Sequence, residues 1–262
     1  MKFLRKSGIM RVSLAIGELL SGFIAAISLA LTFLASGAST FFAYIVSFTF
    51  SKPPIYLARK EQIDYKKVIS DSFNIIYTHP TILWLTIFFA LFNGMVWPTN
   101  FLSQSYLQEL HVPIIYFGFI FAGMSAIAAI ASAYTHVYDK ITGSYSFLIM
   151  ALVTSVSLFI LGIAPSIYIL PLWAIFNTLT MINHTLVSER VLSIVSQNQA
   201  ATVLSFQNLA RRGIYALFGP LIGYLSDMFS VSFALQIYGV ILMVLILPLF
   251  LVFKNPLKIS HK

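Results

Sequence analysis

Residues 12–50 read VSLAIGELLSGFIAAISLALTFLASGASTFFAYIVSFTF, and this stretch decides the fold class. Glu18 is the only charged side chain in it. A helix of about 20 mostly apolar residues crosses the ~30 Å hydrocarbon layer of a bilayer, whereas one continuous helix over 12–50 would be roughly 58 Å long. The stretch therefore predicts two transmembrane helices, with a reversal of the chain near 28–31.

The composition of the whole chain agrees with a membrane protein. Of its 262 residues, 59% are apolar and 9% are charged, against about 45–50% and about 25% in ordinary soluble proteins. The formal net charge of +8 rests on 16 basic and 8 acidic residues. So few charges indicate loops that face an anionic membrane surface, and we expect no nucleic-acid partner. Cysteine is absent, which excludes disulfides and thiolate catalysis.

Eight apolar runs are long enough to be spans. They are residues 12–28, 32–50, 81–104, 113–134, 145–163, 166–187, 200–226 and 230–253. The connector between the second and third runs has apolar residues at helical spacing from Tyr65 to Ile76, which predicts an amphipathic helix on the cytoplasmic surface. We therefore expect three regions: the first two spans at 1–50, the connector at 51–78, and a six-helix bundle at 79–262.

The positions of lysine and arginine predict the orientation. Fourteen of the sixteen basic residues lie in the two tails, in the 51–78 connector, or in the connectors that contain Lys140 and Arg190. The alternate connectors contain no lysine or arginine. Because cytoplasmic loops are enriched in these residues, the pattern predicts a multi-pass protein of the cell membrane with both termini in the cytoplasm.

Three motifs carry a family resemblance. Residues 198–205 read NQAATVLS, similar to the RATVLS sequence that opens the penultimate helix in many transporters of the major facilitator superfamily. Residues 219–227 read GPLIGYLSD and resemble the Gly-Pro-rich end of the same helix. Asp139, Lys140 and Gly143 retain part of the family signature Gly-x-x-x-Asp-(Arg/Lys)-x-Gly, although Thr135 replaces the first glycine.

The resemblance implies a fold. It identifies the chain as an all-α membrane protein with the last eight of twelve helices: two from the N-terminal bundle and the complete C-terminal six-helix bundle. A separately encoded fragment with the other four helices is then an expected partner, together with membrane lipids. The implied gating or structural residues are Asp139, Lys140, Gly143, Gly219, Pro220 and Gly223. Helix packing and punctuation are the alternative for these six, since Gly219 and Gly223 would allow close helix approach.

Glu18 is the one acidic residue well inside a span. A charge at mid-bilayer costs roughly 2.5–3.5 kcal/mol on insertion scales, so it requires a partner or a water-filled cavity. Glu18 could be a protonatable carboxylate that faces a translocation cavity and couples protons to a solute. Alternatively, it could be the structural partner of an arginine in the seventh span, or a residue within reach of the membrane interface.

Polar side chains in the third, sixth and seventh spans are further candidates, because the resemblance implies that the third and sixth spans line a central cavity. Amides and an indole suit a polar or amphipathic organic molecule, while interhelical hydrogen bonds are the alternative. Arg211 could reach back to the headgroups, or offer positive charge to an anionic substrate or to Glu18. The candidate cavity-lining residues are Glu18, Asn93, Trp97, Asn100, Gln104, Asn177, Asn183, His184, Gln207 and Arg211.

The resemblance implies a secondary transporter that moves a small organic solute by alternating access, with proton-coupled efflux as the expected mode. The alternative is a truncated or auxiliary membrane subunit without transport activity of its own. We expect no enzyme activity, because the sequence contains no His-Glu-x-x-His, Gly-x-Ser-x-Gly or P-loop pattern. No metal or cofactor is expected.

Overall fold

The computed structural model describes residues 16–50 and 65–252, and within these ranges it is helical without strands. The bounds of the α-helices are α1 Ile16–Ile27, α2 Leu29–Ser47, α3 Tyr65–Thr78, α4 Pro80–Glu109, α5 Phe117–Ala133, α6 Thr135–Thr142, α7 Ser146–Ile163, α8 Pro171–Ile194, α9 Gln197–Met228 and α10 Val231–Val252. Short 3₁₀ turns precede α5, α7 and α8. The basic residues of the tails and of the 51–64 connector lie outside the described residues.

Each predicted apolar run coincides with a helix, and the fold is that of an all-α membrane protein. Five helical segments of the described chain are long and apolar enough to cross a membrane. They are Leu29–Ser47, Pro80–Glu109, Ile114–Ala133, Thr135–Ile163 and Val231–Leu251. The helices α8 and α9 are less apolar because they contain many of the candidate polar residues.

The first two helices separate where the sequence predicts. Ser28 lies between α1 and α2 in an extended conformation, with φ −164° and ψ 131°, inside the predicted stretch 28–31. No residue of α2 is buried. This apolar helix therefore has no packed face against the rest of the described chain.

The connector helix α3 is present, as the spacing predicts. Ile76 is buried, and Phe73 makes an edge-to-face contact with Phe206 of α9 at 4.7 Å between ring centroids. The side chains of Tyr65, Val68 and Ile69 are outside the described set. The boundaries at 50 and 78 between the three predicted regions remain predictions.

An aromatic column on α4 forms much of the core. Trp84, Phe88 and Phe92 are fully buried and stack at i, i+4 spacing, with centroid distances of 5.2 and 5.5 Å. Phe147 of α7 and Phe250 of α10 meet this column edge to face. Residues four apart share one helix face, so the column fixes which side of α4 faces α7 and α10.

Glycines bring three helix pairs into backbone contact. A Cβ atom added at Gly162 of α7 would lie 2.5 Å from the Ser232 carbonyl oxygen of α10, and one added at Gly94 of α4 would lie 2.7 Å from the Arg211 carbonyl oxygen of α9. In the third pair, Gly22 of α1 packs directly on Gly118 of α5, where an added Cβ would lie 2.7 Å from the Gly118 Cα. Small residues allow this approach between membrane helices.

Gly219 and Gly223 make no close contact with another helix among the described residues. A Cβ added at Gly223 would meet nothing within 4 Å, and one added at Gly219 would meet only Tyr215 of its own helix, at 3.7 Å. The reason is that α4 and α9 touch at Gly94 but leave a cleft further along. Gly219 and Gly223 line that open cleft and not a helix contact.

We name the two ends of the bundle the Glu109 end and the Asp139 end, after a residue that lies at each. At the Glu109 end, the Glu109 Oε2 atom accepts a hydrogen bond from the Ser232 backbone amide at the start of α10. At the Asp139 end, Trp84 near the start of α4 donates to the Leu249 carbonyl oxygen near the end of α10. The two helices are therefore antiparallel, as an alternating path through a bilayer requires.

Candidate functional site

Asn93 of α4 and Asn183 of α8 come together in the interior of the bundle. The Asn93 Nδ2 donates to the Asn183 Oδ1 at 2.6 Å, and the two residues are 4% and 0% exposed. The Asn183 Nδ2 in turn lies 3.8 Å from the Met150 sulfur. One hydrogen bond therefore joins the two amides away from any surface, which favours the interhelical alternative for this pair.

Gln207 of α9 has a similar environment. It is 1% exposed, and its Nε2 donates to the Thr86 Oγ1 of α4 at 3.0 Å. Asn177 bonds within its own helix, donating to the Trp173 carbonyl oxygen at 3.1 Å. On α4, Asn100 is half-buried and Gln104 is exposed. The predicted cavity-lining amides thus divide into buried, bonded groups and groups near the surface.

Arg211 and Trp97 form a cation–π pair between α9 and α4. The guanidinium carbon lies 5.2 Å from the centroid of the indole. Trp97 is 47% exposed, whereas Trp84 and Trp173 are almost fully buried. The Nε of Arg211 is itself buried and has no hydrogen-bond partner. This pair therefore combines a partly exposed aromatic face with a donor that lacks an acceptor.

His184 of α8 lies on the same side of the bundle. Its exposed ring makes an edge-to-face contact with Phe89 of α4 at 5.6 Å, and Arg211 acts on it electrostatically. Three helices thus contribute Trp97, His184 and Arg211 to one surface, which we call the Arg211 face. The sequence prediction named all three residues.

A cleft of about 360 Å³ adjoins the Arg211 face. It lies between α4 and α9 and contains no charged side chain, and we call it the α4–α9 cleft. Its lining residues are Pro98, Phe101, Leu102, Tyr215, Ala216, Gly219, Pro220, Ile222 and Gly223. Trp97 directly precedes Pro98 in α4, and Arg211 lies four residues before Tyr215 in α9, so the cleft begins where the cation–π pair ends.

Glu18 lies at the contact between α1 and α5. Its carboxylate makes a hydrogen bond with the Ser125 side chain of α5, while its Oε2 is buried without a partner. It forms no ion pair with either arginine of α9; among the described residues, the one ion pair is elsewhere. The predicted alternative, a structural pair between Glu18 and an arginine of the seventh span, is therefore wrong.

That ion pair joins Arg190 of α8 to Asp139 of α6, with 2.7 Å between Nη2 and Oδ1. The same carboxylate oxygen accepts a hydrogen bond from the Ser146 hydroxyl at 2.8 Å, and the guanidinium stacks on Phe147 at 4.7 Å. Gly143 follows α6 with a φ of +53°, a value that favours glycine. Asp139 and Gly143 thus hold a compact connector at the Asp139 end.

Two of the motif residues take no part in this ion pair, and the sequence does not predict that Arg190 completes it. Lys140 is exposed, and Pro220 lies inside α9 at the edge of the α4–α9 cleft. The sequence does not indicate a site role for Arg190, whose position predicts only the orientation of the chain. A signal does exist, because a lone arginine near the end of an apolar helix is predicted on the same membrane face as Asp139.

Comparison with known proteins gives a relationship in fold. By sequence, the chain matches no protein family and no curated protein. Among solved structures, it is similar to a bacterial homologue of the human lysosomal transporter Spinster, in an inward-facing and unoccupied conformation, with 16% identity and a TM-score of 0.58. The match covers 90% of this chain and 64% of that one, so the chain spans less than two thirds of its neighbour. Over most of its length, the chain therefore shares the fold of this solved structure.

Proposed function

We propose that the chain is a secondary transporter that exports a small organic solute across the cell membrane by alternating access. The observation that carries this proposal is the fold shared with the Spinster homologue over 90% of the chain. The Arg211 face supports it, since polar groups of α4, α8 and α9 converge beside an apolar cleft. The fold relationship also supports a role other than catalysis.

In this proposal, Glu18 couples solute movement to protons. It lies on a helix that the resemblance assigns to the N-terminal bundle, and it bonds to Ser125 in the C-terminal bundle. Because the buried Oε2 has no donor, protonation of the carboxylate would remove an unpaired charge from the contact between the bundles. A proton on Glu18 would thereby alter the α1–α5 contact that alternating access must break and remake.

The orientation in this proposal places the Asp139 end in the cytoplasm. Lys140 of α6 and Arg190, near the end of α8, both lie at this end. The connectors at the Glu109 end contain neither lysine nor arginine. This asymmetry is the one that cytoplasmic loops display.

Flux measurements test the transport function. The purified full chain is reconstituted into vesicles, and proton movement into the lumen is followed with a trapped pH dye while a solute gradient is imposed. Transport predicts solute-dependent proton flux that stops when an ionophore collapses the pH gradient. Protein-free vesicles give the background, and flux no greater than that background across a panel of organic acids, amines and neutral compounds would contradict the proposal.

A second candidate is an auxiliary membrane subunit that does not transport by itself. The observation that favours it is α2, whose apolar side chains are exposed along the whole helix. Its proposed partners are membrane lipids and a separately encoded chain that supplies four helices. Native mass spectrometry of the protein from its own membranes separates the two candidates, because a stoichiometric second chain, with no flux by the isolated protein, supports the auxiliary role.

A further inference from the structure

We infer that the Arg211 face and the α4–α9 cleft together bind an organic anion with an apolar body. The anionic group would bind Arg211, and the apolar body would lie against Trp97 and enter the cleft. This inference rests on the proposed transport function, because it names the class of solute for that site. Of the alternatives for Arg211, it takes up the binding of an anionic substrate.

Arg211 has no carboxylate partner among the described residues. Asp139 pairs with Arg190, Glu109 binds the amide of Ser232, and Glu18 bonds to Ser125. Asp227 lies 16 positions further along α9, about 24 Å away along the helix axis. A guanidinium inside a membrane bundle requires an anion or water, and the described side chains supply no such anion.

The guanidinium of Arg211 has hydrogen-bond donors to offer. Its Nε is buried without an acceptor, and its Cζ lies over the indole ring of Trp97, 5.2 Å from the centroid. A guanidinium that lies over an aromatic ring can still donate hydrogen bonds through its N–H groups. These N–H groups form parallel pairs, which match the two oxygens of a carboxylate or of a related oxyanion. A cationic solute would be repelled by the same group.

The α4–α9 cleft has a size and lining that suit an apolar body. Its volume of about 360 Å³ lies within the range of small-ligand sites, about 300–1,000 Å³. Phe101 and Tyr215 both line it and make a tilted ring contact, with 6.4 Å between centroids. No charged side chain lines it. A solute that carries its charge at one end can therefore place an alkyl or aryl body in the cleft while the anion remains at Arg211.

Three probes that differ only in charge test the inference. They are 4-phenylbutyrate, 4-phenylbutylammonium and 4-phenylbutanol. The full chain is labelled with 5-fluorotryptophan in detergent, so that its three tryptophans give three ¹⁹F resonances, and the Trp97→Phe variant assigns one of them. We expect 4-phenylbutyrate to shift the Trp97 resonance saturably. We expect the amine and the alcohol to bind at least about tenfold more weakly, the factor typical of losing a charge-assisted hydrogen bond.

Matched variants locate the binding groups. Arg211→Gln should lower the affinity for 4-phenylbutyrate at least about tenfold. Arg212→Gln removes the same charge from the exposed neighbouring position and should change the affinity by less than about twofold, because an exposed charge contributes little. Gly223→Leu fills empty space in the cleft. It should lower the affinity for 4-phenylbutyrate and leave the affinity for acetate unchanged. Circular dichroism and thermal unfolding verify that each variant is folded.

The outcomes separate this inference from the transport proposal. Equal binding of the amine and the acid, equal effects of the two arginine substitutions in folded protein, or no shift of the Trp97 resonance with 4-phenylbutyrate would overturn the anion site. Flux of an organic amine without binding of any acid would overturn it too, and would leave transport intact. Conversely, Arg211-dependent binding without flux of any solute would support the anion site and count against transport.

Discussion

Polar side chains inside the helices differ in whether the bundle supplies them with a partner. Asn93 donates a hydrogen bond to Asn183, and Gln207 donates one to Thr86. Arg211 has a buried donor without an acceptor, and Glu18 has a buried acceptor without a donor. Buried polar groups are normally paired, so the paired amides are expected to stabilise the bundle, while the two charged groups are the candidates for binding solute and protons.

The amide pair gives a prediction about stability. Asn183→Leu removes the side-chain acceptor of the Asn93 amide, which keeps only its bond to the Phe89 carbonyl oxygen. We expect the free energy of unfolding in detergent to fall by about 1 kcal/mol, since hydrogen bonds between membrane helices contribute about 0.6 to 1.7 kcal/mol. The double variant Asn93→Leu/Asn183→Leu should recover part of the loss, because no buried amide then lacks its side-chain acceptor. A change of solute preference without a loss of stability would instead assign these amides to the solute site.

Glu18 gives a prediction about coupling. Glu18→Gln preserves the size of the side chain and a hydrogen bond to Ser125 but cannot carry a proton. We expect gradient-driven flux to be abolished, while membrane insertion and solute exchange without a pH gradient continue. Ser125→Ala is the control for the hydrogen bond alone and should retain coupling. Normal gradient-driven flux in Glu18→Gln would show that the coupling carboxylate is elsewhere.

At the scale of residues, the sequence predicts which polar groups are unusual but not which of them meet. Asn93 and Asn183 are conspicuous because amides are uncommon in apolar spans, yet their bond depends on the rotation of α4 and α8 about their axes. The same dependence explains Arg190, whose partner is 51 residues away in sequence. Composition and spacing contain no information about helix rotation.

At the scale of elements, glycines determine where helices touch. Gly94, Gly162 and Gly239 are each within 3 Å, measured from an added Cβ, of the backbone of a neighbouring helix. Gly219 and Gly223 border an open cleft instead. The positions of glycine in sequence therefore predict small-residue surfaces, and only the crossing of particular helices decides which of those surfaces is a contact.

This contrast gives a prediction with an internal control. Gly162→Leu places atoms where Ser232 and Gln236 of α10 already lie, at 2.5 Å from an added Cβ. We expect this variant to lose at least about 1–3 kcal/mol of unfolding free energy, the range for overpacked interiors. Gly223→Leu meets nothing within 4 Å and should change stability by less than about 0.5 kcal/mol. Equal effects in chemical unfolding would contradict the arrangement of α7 against α10.

Helix bounds are predicted well where apolar runs end and poorly where polar contacts extend a helix. The sixth apolar run was placed at 166–187, whereas α8 begins at Pro171 and continues to Ile194. The added turns contain Glu189 and Arg190, and the ion pair with Asp139 holds this polar end in place. At the start, a 3₁₀ turn at Ile167–Ile169 replaces the first residues of the run.

At the scale of the whole molecule, the directions of the helices suit a chain that crosses a bilayer repeatedly. The helices α4 and α10 are antiparallel. The end of α4 meets the end of α7, where the Tyr106 hydroxyl donates to the Leu161 carbonyl oxygen. Such an arrangement has the Asp139 end and the Glu109 end on opposite sides of a bilayer. The fold class follows from composition alone, but the pairing of helices does not.

The absence of cysteine makes this topology directly testable. Single cysteines at Gln108 and Lys140 lie at exposed positions on opposite ends of the bundle. We expect a membrane-impermeant maleimide to label Gln108→Cys in intact cells and Lys140→Cys only after permeabilisation. The cysteine-free parent chain gives the background. The reverse labelling pattern would mean that the protein is inserted the other way round.

The contact at Gly94 is a point about which α4 and α9 could tilt relative to each other. On one side of it, the bond between Gln207 and Thr86 ties the two helices, and on the other side they part around the cleft. A small tilt about this point would widen or narrow the cleft while the tied ends stayed together. It would also slide the indole of Trp97 relative to the guanidinium of Arg211. A solute bound between Trp97 and Arg211 would then hold the two helices apart, and its binding or release would change the angle between them.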